Sequence, residues 1–306
     1  VKRGLALGCG GTLGAAWSVG VLATLAEREG WDAREADAII GTSAGAEYGA
    51  MLAAGVAVED MVAAQRGSQD APAWLLEHLD AAPAVVPPIP FPWPIAPRLL
   101  LRRGLPRITR LSGAMPIGRD SHARMLRLGE RLADASGWVP HEAFMSVAVD
   151  LGTGRRVAFG AEGARSADLP QALAASWAVP GCFPPVRIKD GRYIDGGAAS
   201  AASVDLLAER VPELDEIIVI APMASSPVPR PPNRAMAIEA RIRRRLTTGL
   251  DAECARAEAK GIRVRRFEMS AESLRAAGPN FNDARRRRRV LEQSLSEHAS
   301  TASVAG

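Results

Sequence analysis

The amino-acid sequence predicts a layered α/β fold with parallel strands, and two observations carry that prediction. A pattern of short apolar strand, glycine-rich turn and helix occurs twice before Val56. Much later, Glu216-Ile217-Ile218-Val219-Ile220 is a strongly β-branched run of the kind found in strands covered on both faces. The first unit is Gly4-Leu5-Ala6-Leu7, then Gly8-Cys9-Gly10-Gly11-Thr12-Leu13-Gly14, then a helix over Ala15–Glu29. That helix carries Trp17, Val21, Leu22 and Leu25 at helical spacing and stops at Gly30. The second unit is the strand Ala38-Ile39-Ile40, the turn Gly41-Thr42-Ser43-Ala44-Gly45, and a small-residue helix to about Ala54, closed by Gly55.

The stretch Pro83–Pro97 holds seven prolines with Phe91 and Trp93 among them. It is predicted to lack regular structure and to form an insert, because proline removes backbone donors and fixes φ. Strands are predicted at Glu142–Asp150 and Arg156–Phe159, and a helix over Leu169–Ala178. Short strands follow at Val186–Ile188 and Arg192–Asp195. Beyond the Glu216–Ile220 strand, Arg234–Lys260 reads as helix, Gly261–Glu268 as strand and Asp283–His298 as helix. The late strand extends the same sheet, so residues 1–300 read as one domain with the Pro-rich insert at about 83–97.

Composition narrows the function classes. The chain has 306 residues, 47% hydrophobic and 24% charged, enough to bury a full core and incompatible with a disordered or fibrous polymer. The cysteines Cys9, Cys182 and Cys254 are odd in number and far apart, which argues against a disulfide framework or a structural zinc site. His78, His122, His141 and His298 are scattered without metal-ligand spacing, so no metal and no cofactor is expected. The net charge is +4, with nearly all the positive charge on arginine, in clusters at Arg98–Arg110, Arg241–Arg245 and Arg285–Arg289. These read as solvated faces, with phosphate or anionic lipid contact as the alternative. No aromatic signature interleaves with them, so nucleic acid is not an expected partner. No segment reads as a membrane span. Val1-Lys2-Arg3 runs directly into the first strand without a leader-like apolar segment. The expected location is cytoplasmic, with peripheral membrane contact where the aromatic insert and the arginines after it meet a lipid surface.

Three motifs carry chemistry. Ser43 sits in a GxSxG pentapeptide between strand and helix, the setting of a nucleophile elbow. A serine on that sharp turn needs small neighbours two residues away, supplied by Gly41 and Gly45. The alternative is an ordinary glycine turn with a capping serine. Gly10, Gly11 and Thr12 lie in a glycine turn whose backbone N–H groups can face a developing oxyanion. A dinucleotide-binding turn is the rival reading, but Cys9 occupies the first glycine position of that motif, and the second strand ends in serine rather than an acidic residue. Asp195-Gly196-Gly197 places a carboxylate at a strand end with nothing to shield it, or forms a plain β-turn.

Taken jointly and in this order, these motifs resemble the patatin-like phospholipase family. The resemblance is close over residues 4–55 and 169–222 and fainter at Asn280–Gln293. It includes Ala174-Ala175-Ser176 and Val179-Pro180-Gly181-Cys182-Phe183-Pro184-Pro185 ahead of the aspartate. The resemblance implies a three-layer α/β/α sandwich with a mainly parallel central sheet. It also implies hydrolysis of acyl-lipid esters of the phospholipase A or lysophospholipase kind by a serine–aspartate dyad. Ser43 would be the nucleophile, Asp195 the base, and N–H groups around Gly10, Gly11 and Thr12 the oxyanion donors. This sequence departs from the family pattern at Leu13, where a basic residue is usual, at Cys9, where glycine is usual, and at Ser200-Ala201, where asparagine–proline is usual. The last change predicts a looser support for the aspartate loop. The competing readings are a carboxylesterase acting on soluble esters, a non-catalytic lipid-binding or regulatory member of the fold, and an α/β-hydrolase triad. A triad would have to use His298, the one histidine after Asp195. The other three histidines read as surface residues.

Overall fold

The structure, a computed structural model, describes residues 1–83, 85–226 and 234–300. Ala84 of the Pro-rich insert lies outside the described residues, as do 227–233. In chain order the elements begin with β1 (Arg3–Leu7), α1 (Gly11–Glu29), β2 (Ala38–Thr42), α2 (Ala44–Ala53), α3 (Val58–Arg66) and α4 (Ala73–Asp80). They continue with β3 (Phe91–Pro94), α5 (Arg107–Ser112), β4 (Pro116–Ile117), α6 (Ala123–Leu132), β5 (Phe144–Asp150), β6 (Arg156–Phe159) and α7 (Leu169–Ser176). The last group is β7 (Val186–Ile188), β8 (Gly191–Asp195), α8 (Val204–Arg210), β9 (Glu216–Ala221), α9 (Arg234–Glu258), β10 (Arg263–Glu268), α10 (Ala271–Ala277) and α11 (Arg287–Ser300).

The main sheet runs β10-β9-β1-β2-β5-β8-β7, with β6 also paired to β5. From β10 to β5 every pairing is parallel, while β6, β8 and β7 enter antiparallel. The sheet is therefore mostly parallel, as the sequence predicts. Strand residues alternate between two apolar cores. Leu5, Leu7, Ile39, Phe144, Ile218 and Ile220 face one side, where they meet α1, α2, α7 and α11. Ala6, Ile40, Met145, Val147, Ile217 and Val219 face the other, against α8 and α9. Side chains on a strand alternate faces, so a sheet apolar on both sides is stable only between two helical layers. This is the three-layer α/β/α sandwich.

The early elements follow their predicted positions with one shift. Helix α1 begins at Gly11, ahead of the first periodic apolar residue, because the glycine turn itself forms the first helical turn. It ends where Gly30 adopts φ 59° and donates its N–H to the Ala26 carbonyl. The Pro-rich insert departs from its prediction. Phe91–Pro94 forms a strand that pairs antiparallel with Pro116–Ile117, with an irregular register, and Pro97–Leu101 is a 3-10 turn. Proline is compatible with such a short two-stranded ribbon because each strand has one edge that needs no donors.

The three histidines read as surface residues are not surface residues. His78 is buried and its Nε2 lies 2.7 Å from Glu47 Oε1. His122 and His141 are half-buried, donating from Nε2 to the carbonyls of Pro184 at 2.9 Å and Ala36 at 2.7 Å. The polar sequence around them does not reveal that α2, α4 and α6 converge.

Helix α2 lies so close to β1 that a Cβ on Gly45 would sit 2.0 Å from the Leu7 carbonyl oxygen. Backbone on both sides leaves nothing to move. Gly45→Ala is expected to cost about 3 kcal/mol or more in thermal unfolding. Gly249→Ala in α9, where an added Cβ meets nothing within 4 Å, is expected to stabilise by up to about 1 kcal/mol through helix propensity. Equal effects of the two substitutions would contradict this packing.

Candidate active site

The site lies at the carboxyl ends of β1 and β2. Strand β1 is flanked by β2 and β9, so a crevice opens beyond its end, where the connections diverge. Ser43 follows β2 directly and opens α2, at φ 58° and ψ −121°. A non-glycine residue in that region is strained, and the strain is tolerated because both neighbours are locked. A Cβ on Gly41 would lie 2.4 Å from the Gly45 carbonyl oxygen, so the turn closes only with glycine there. The Ser43 N–H donates to Ser176 Oγ at 2.8 Å, and the Ser176 hydroxyl donates to the Val147 carbonyl at 2.7 Å. Ser176, at the end of α7, thus ties the turn to β5. In the sequence, Ser176 stands in the Ala174-Ala175-Ser176 segment, and nothing local marks it for this role.

Sheet register brings Asp195 to Ser43. Thr42 of β2 pairs with Val147 of β5, and Ala148 of β5 pairs with Asp195 of β8. The two chemically interesting residues thus lie on either side of β5 and line one cleft, with the Ser43 hydroxyl near enough to the Asp195 carboxyl to favour its ionised form. Asp195 also accepts the Gly197 N–H at 2.7 Å. Burial pushes the Asp195 carboxyl up to about 7, against the lowering effect of the Ser43 hydroxyl and the Gly197 N–H.

The glycine turn faces the same space. Gly10 and Gly11 line a cleft of about 390 Å³ together with Ser43 and Asp195. Among the described residues, no acceptor takes the N–H of Gly10 or of Gly11. Gly11 has φ 58°, and a Cβ there would lie 2.5 Å from Asn282 Oδ1. Thr12 differs from its expected place. It is buried, does not line the cleft, and aims its N–H at Asn282 Oδ1, 3.4 Å away. It already belongs to the first helical turn, and that turn points the N–H at the Asn280–Asp283 loop instead.

Distant chain segments hold this turn. The Phe281 carbonyl accepts the Leu13 N–H at 2.8 Å, and Ala201 accepts the Cys9 N–H at 2.8 Å. Arg243 of α9 is buried and donates to the Pro222 carbonyl at 2.7 Å and the Ala224 carbonyl at 3.2 Å. Its guanidinium also lies over the Phe281 ring, 5.3 Å from the centroid. No local sequence signal marks Arg243 or Asn282 as site neighbours.

The departures at Cys9, Leu13 and Ser200 have structural accounts. Cys9 packs where a Cβ on Gly197 would lie 3.1 Å from its Sγ, and burial pushes its thiol up, away from the reactive thiolate. The Leu13 side chain is fully buried in the α1 core. Ser200 Oγ accepts the N–H groups of Ser203 at 2.8 Å and Ala202 at 3.3 Å. The aspartate loop is therefore tied down where a looser support was predicted.

Behind the nucleophile turn, Glu47 of α2 is buried with Arg124 and His78. Burial alone would raise its carboxyl, but Arg124 and His78 outweigh burial and hold it below the usual range. Arg124 also lies over Trp177, which lines the cleft. The remaining cleft wall is mostly apolar, including Ile108, Leu111, Met115, Val179 and Phe281, with Ser112, Asn282 and Arg245 among its polar members. Among the described residues no histidine lines it, and His298 packs instead against Trp17 and Phe267. Among the described residues no three His, Cys, Asp or Glu side chains gather as a metal ion would require.

The fold and site thus define a three-layer α/β protein with a strained serine and a buried aspartate at the carboxyl edge of a mostly parallel sheet. The sequence profile described as Patatin-like phospholipase matches residues 5–208, and the chain belongs to the patatin-like phospholipase family. Membership supports lipid acyl hydrolysis as its general class of activity. No curated protein shows a significant match. Among solved structures, VipD from Legionella pneumophila is 15% identical with a TM-score of 0.41, over 98% of this chain and 67% of that one.

A carboxyl that stays protonated up to about pH 7 is neutral in the native state where an unfolded aspartate is ionised. Its burial therefore destabilises the fold progressively as pH rises from about 4 to 7. Asp195→Asn is expected to match the natural protein in Tm at about pH 3.5 and to exceed it increasingly up to about pH 7. A Tm difference that shrinks as pH rises would contradict the assigned burial.

Proposed function

We propose that this protein is a serine acyl hydrolase that cleaves lipid ester bonds, in the manner of a phospholipase A or lysophospholipase, through a Ser43–Asp195 dyad. The observation that carries this reading is the convergence of the strained Ser43 and the buried Asp195 on one largely apolar cleft. The unit that carries it is a single domain over about residues 1–300. One sheet takes strands from Arg3 to Glu268, and α11 returns to α1, where Ser294 Oγ donates to the Trp17 carbonyl at 2.8 Å.

Each chemical step has a group to perform it. Ser43 Oγ attacks the ester carbonyl while its proton passes to Asp195. A carboxylate is ordinarily too weak a base for a hydroxyl, and burial narrows the gap by raising Asp195. The negative charge that develops on the carbonyl oxygen is met by the unspent N–H groups of Gly10 and Gly11, at the N-terminal end of α1, where the helix dipole favours it. Asp195 then returns the proton to the departing alcohol, and water, activated by the same carboxylate, releases the acyl group. The apolar wall suits a long acyl chain better than a small soluble acid.

Peripheral membrane contact belongs to the same reading. Val86, Ile89, Trp93 and Leu101 are 69–84% exposed on and beside the insert. Leu111 and Met115 are exposed as well and line the cleft, so the apolar surface continues into it. Arg98, Arg102, Arg103 and Arg107 are exposed nearby in the chain. Apolar and cationic side chains on one surface match an anionic lipid interface.

Ser43→Ala and Asp195→Asn are each expected to lower ester turnover by about 10³-fold or more while retaining the native circular dichroism. Ser43→Ala is also expected to abolish labelling by a fluorophosphonate, and retained labelling would exclude Ser43 as nucleophile. In the natural protein, kcat/KM should climb with a midpoint near pH 7 as Asp195 loses its proton. For the interface, Ile89→Ser/Trp93→Ser is expected to weaken pelleting with phosphatidylglycerol vesicles several-fold. Unchanged pelleting would leave the insert without a lipid role.

A further inference from the structure

A second cleft, of about 870 Å³, opens beside the first, and Ile108, Arg245 and Leu246 line both. Its walls come from α5, the β5–β6 turn, α9 and the loop after Asp195, which supplies Ala199 and Ser200. Six arginines line it. Two of them, Arg156 and Arg256, are neutralised by Asp205 and Glu253 at 2.8–3.1 Å. The other four are Arg107, Arg155, Arg244 and Arg245. Among the described residues they have no carboxylate partner. Arg107 and the Arg244–Arg245 pair, which the sequence places in separate clusters read there as solvated faces, are thus gathered with Arg155 round one concavity. The floor is firm, since Glu253 also accepts the Val204 N–H at 3.1 Å.

We propose that this cleft binds the phosphate of an anionic lipid head group. Guanidinium forks match phosphate oxygens in geometry and charge, and four uncompensated forks favour a group carrying more than a passing counter-ion. The position selects the ligand. An ester held at Ser43 with its acyl chain along the apolar wall directs its alcohol portion toward Arg245 and the second cleft. This orientation rests on the hydrolase reading above. The arginine cleft then selects esters whose leaving alcohol bears a phosphate over the same ester without one.

The test measures binding rather than turnover, on the Ser43→Ala protein, so that its outcome is separate from the chemistry. A short-chain monoacylglycerol phosphate below its micellar concentration, the monoacylglycerol of the same chain and inorganic phosphate are each titrated by calorimetry. The phosphate ester is expected to bind at least about tenfold more tightly than the neutral lipid. In Arg155→Gln/Arg244→Gln that preference should fall to about threefold or less, and Arg155→Lys/Arg244→Lys should restore part of it. Equal affinity for the two lipids in the Ser43→Ala protein overturns the proposal without need of any arginine variant. A preference that survives in a folded glutamine pair overturns it too. Inorganic phosphate binding as tightly as the phosphate ester would make this a free-phosphate site and overturn the head-group assignment. Should turnover be absent in the natural protein while the tenfold preference holds, the head-group site stands and the hydrolase reading falls.

Discussion

The convergence of Ser43 and Asp195 on one cleft is the arrangement around which this region is built, and two opposed costs surround it. A carboxyl sealed among apolar groups resists ionisation, so the fold carries a destabilising burial at neutral pH. A serine at φ 58° carries backbone strain. Neither would persist on a yielding frame. Here the serine stands between two buried glycines that cannot be enlarged, and its N–H is fastened to Ser176. The aspartate is fastened through sheet pairing with Ala148 and through the Gly197 N–H. The strand between them, β5, sets their separation as a consequence of register.

The glycine turn after β1 is built on a different principle. Its own sequence supplies openness, and rigidity comes from elsewhere. Pro222 and Asn282 stand where Cβ atoms on Gly10 and Gly11 would have to go. Arg243 joins those two supports, through the carbonyls after β9 on one side and the Phe281 ring on the other. A buried guanidinium that satisfies several carbonyls at once is an economical brace for backbone that must leave its own N–H groups free. The α2 side of the site has a comparable brace in Glu47, His78 and Arg124, where a fully buried carboxylate is compensated by two partners.

Around this core the surface is organised by polarity. The apolar cleft opens toward the exposed Leu111 and Met115 in one direction and meets the arginine cleft at Arg245 and Leu246 in another. An amphiphile placed there finds an apolar and a cationic environment within one molecule's reach. That arrangement links the proposed hydrolysis to a preference for substrates rather than to a bare ester bond.

Some of this was readable from residues alone. The two strand–glycine–helix units, the Ser43 turn with Gly41 and Gly45, and Asp195 before two glycines all depend on local sterics, which act over a few residues and leave a local mark. The β-branched run at Glu216–Ala221 marks an interior strand for the same reason. Other features have no local mark. The Pro-rich insert forms a ribbon only because Pro116–Ile117 lies beside it, and His78 is buried only because Glu47 and Arg124 approach it. Thr12 turns away from the cleft because Asn282, 270 positions later, accepts its N–H. Local sequence determined which short segments could bear a strained serine, an open glycine turn and a terminal aspartate. Tertiary structure alone decided that register across β5 brings serine and aspartate to one cleft. It also decided that arginines from three regions share one cleft, because hydrogen-bond register and helix packing are set by the whole sheet at once.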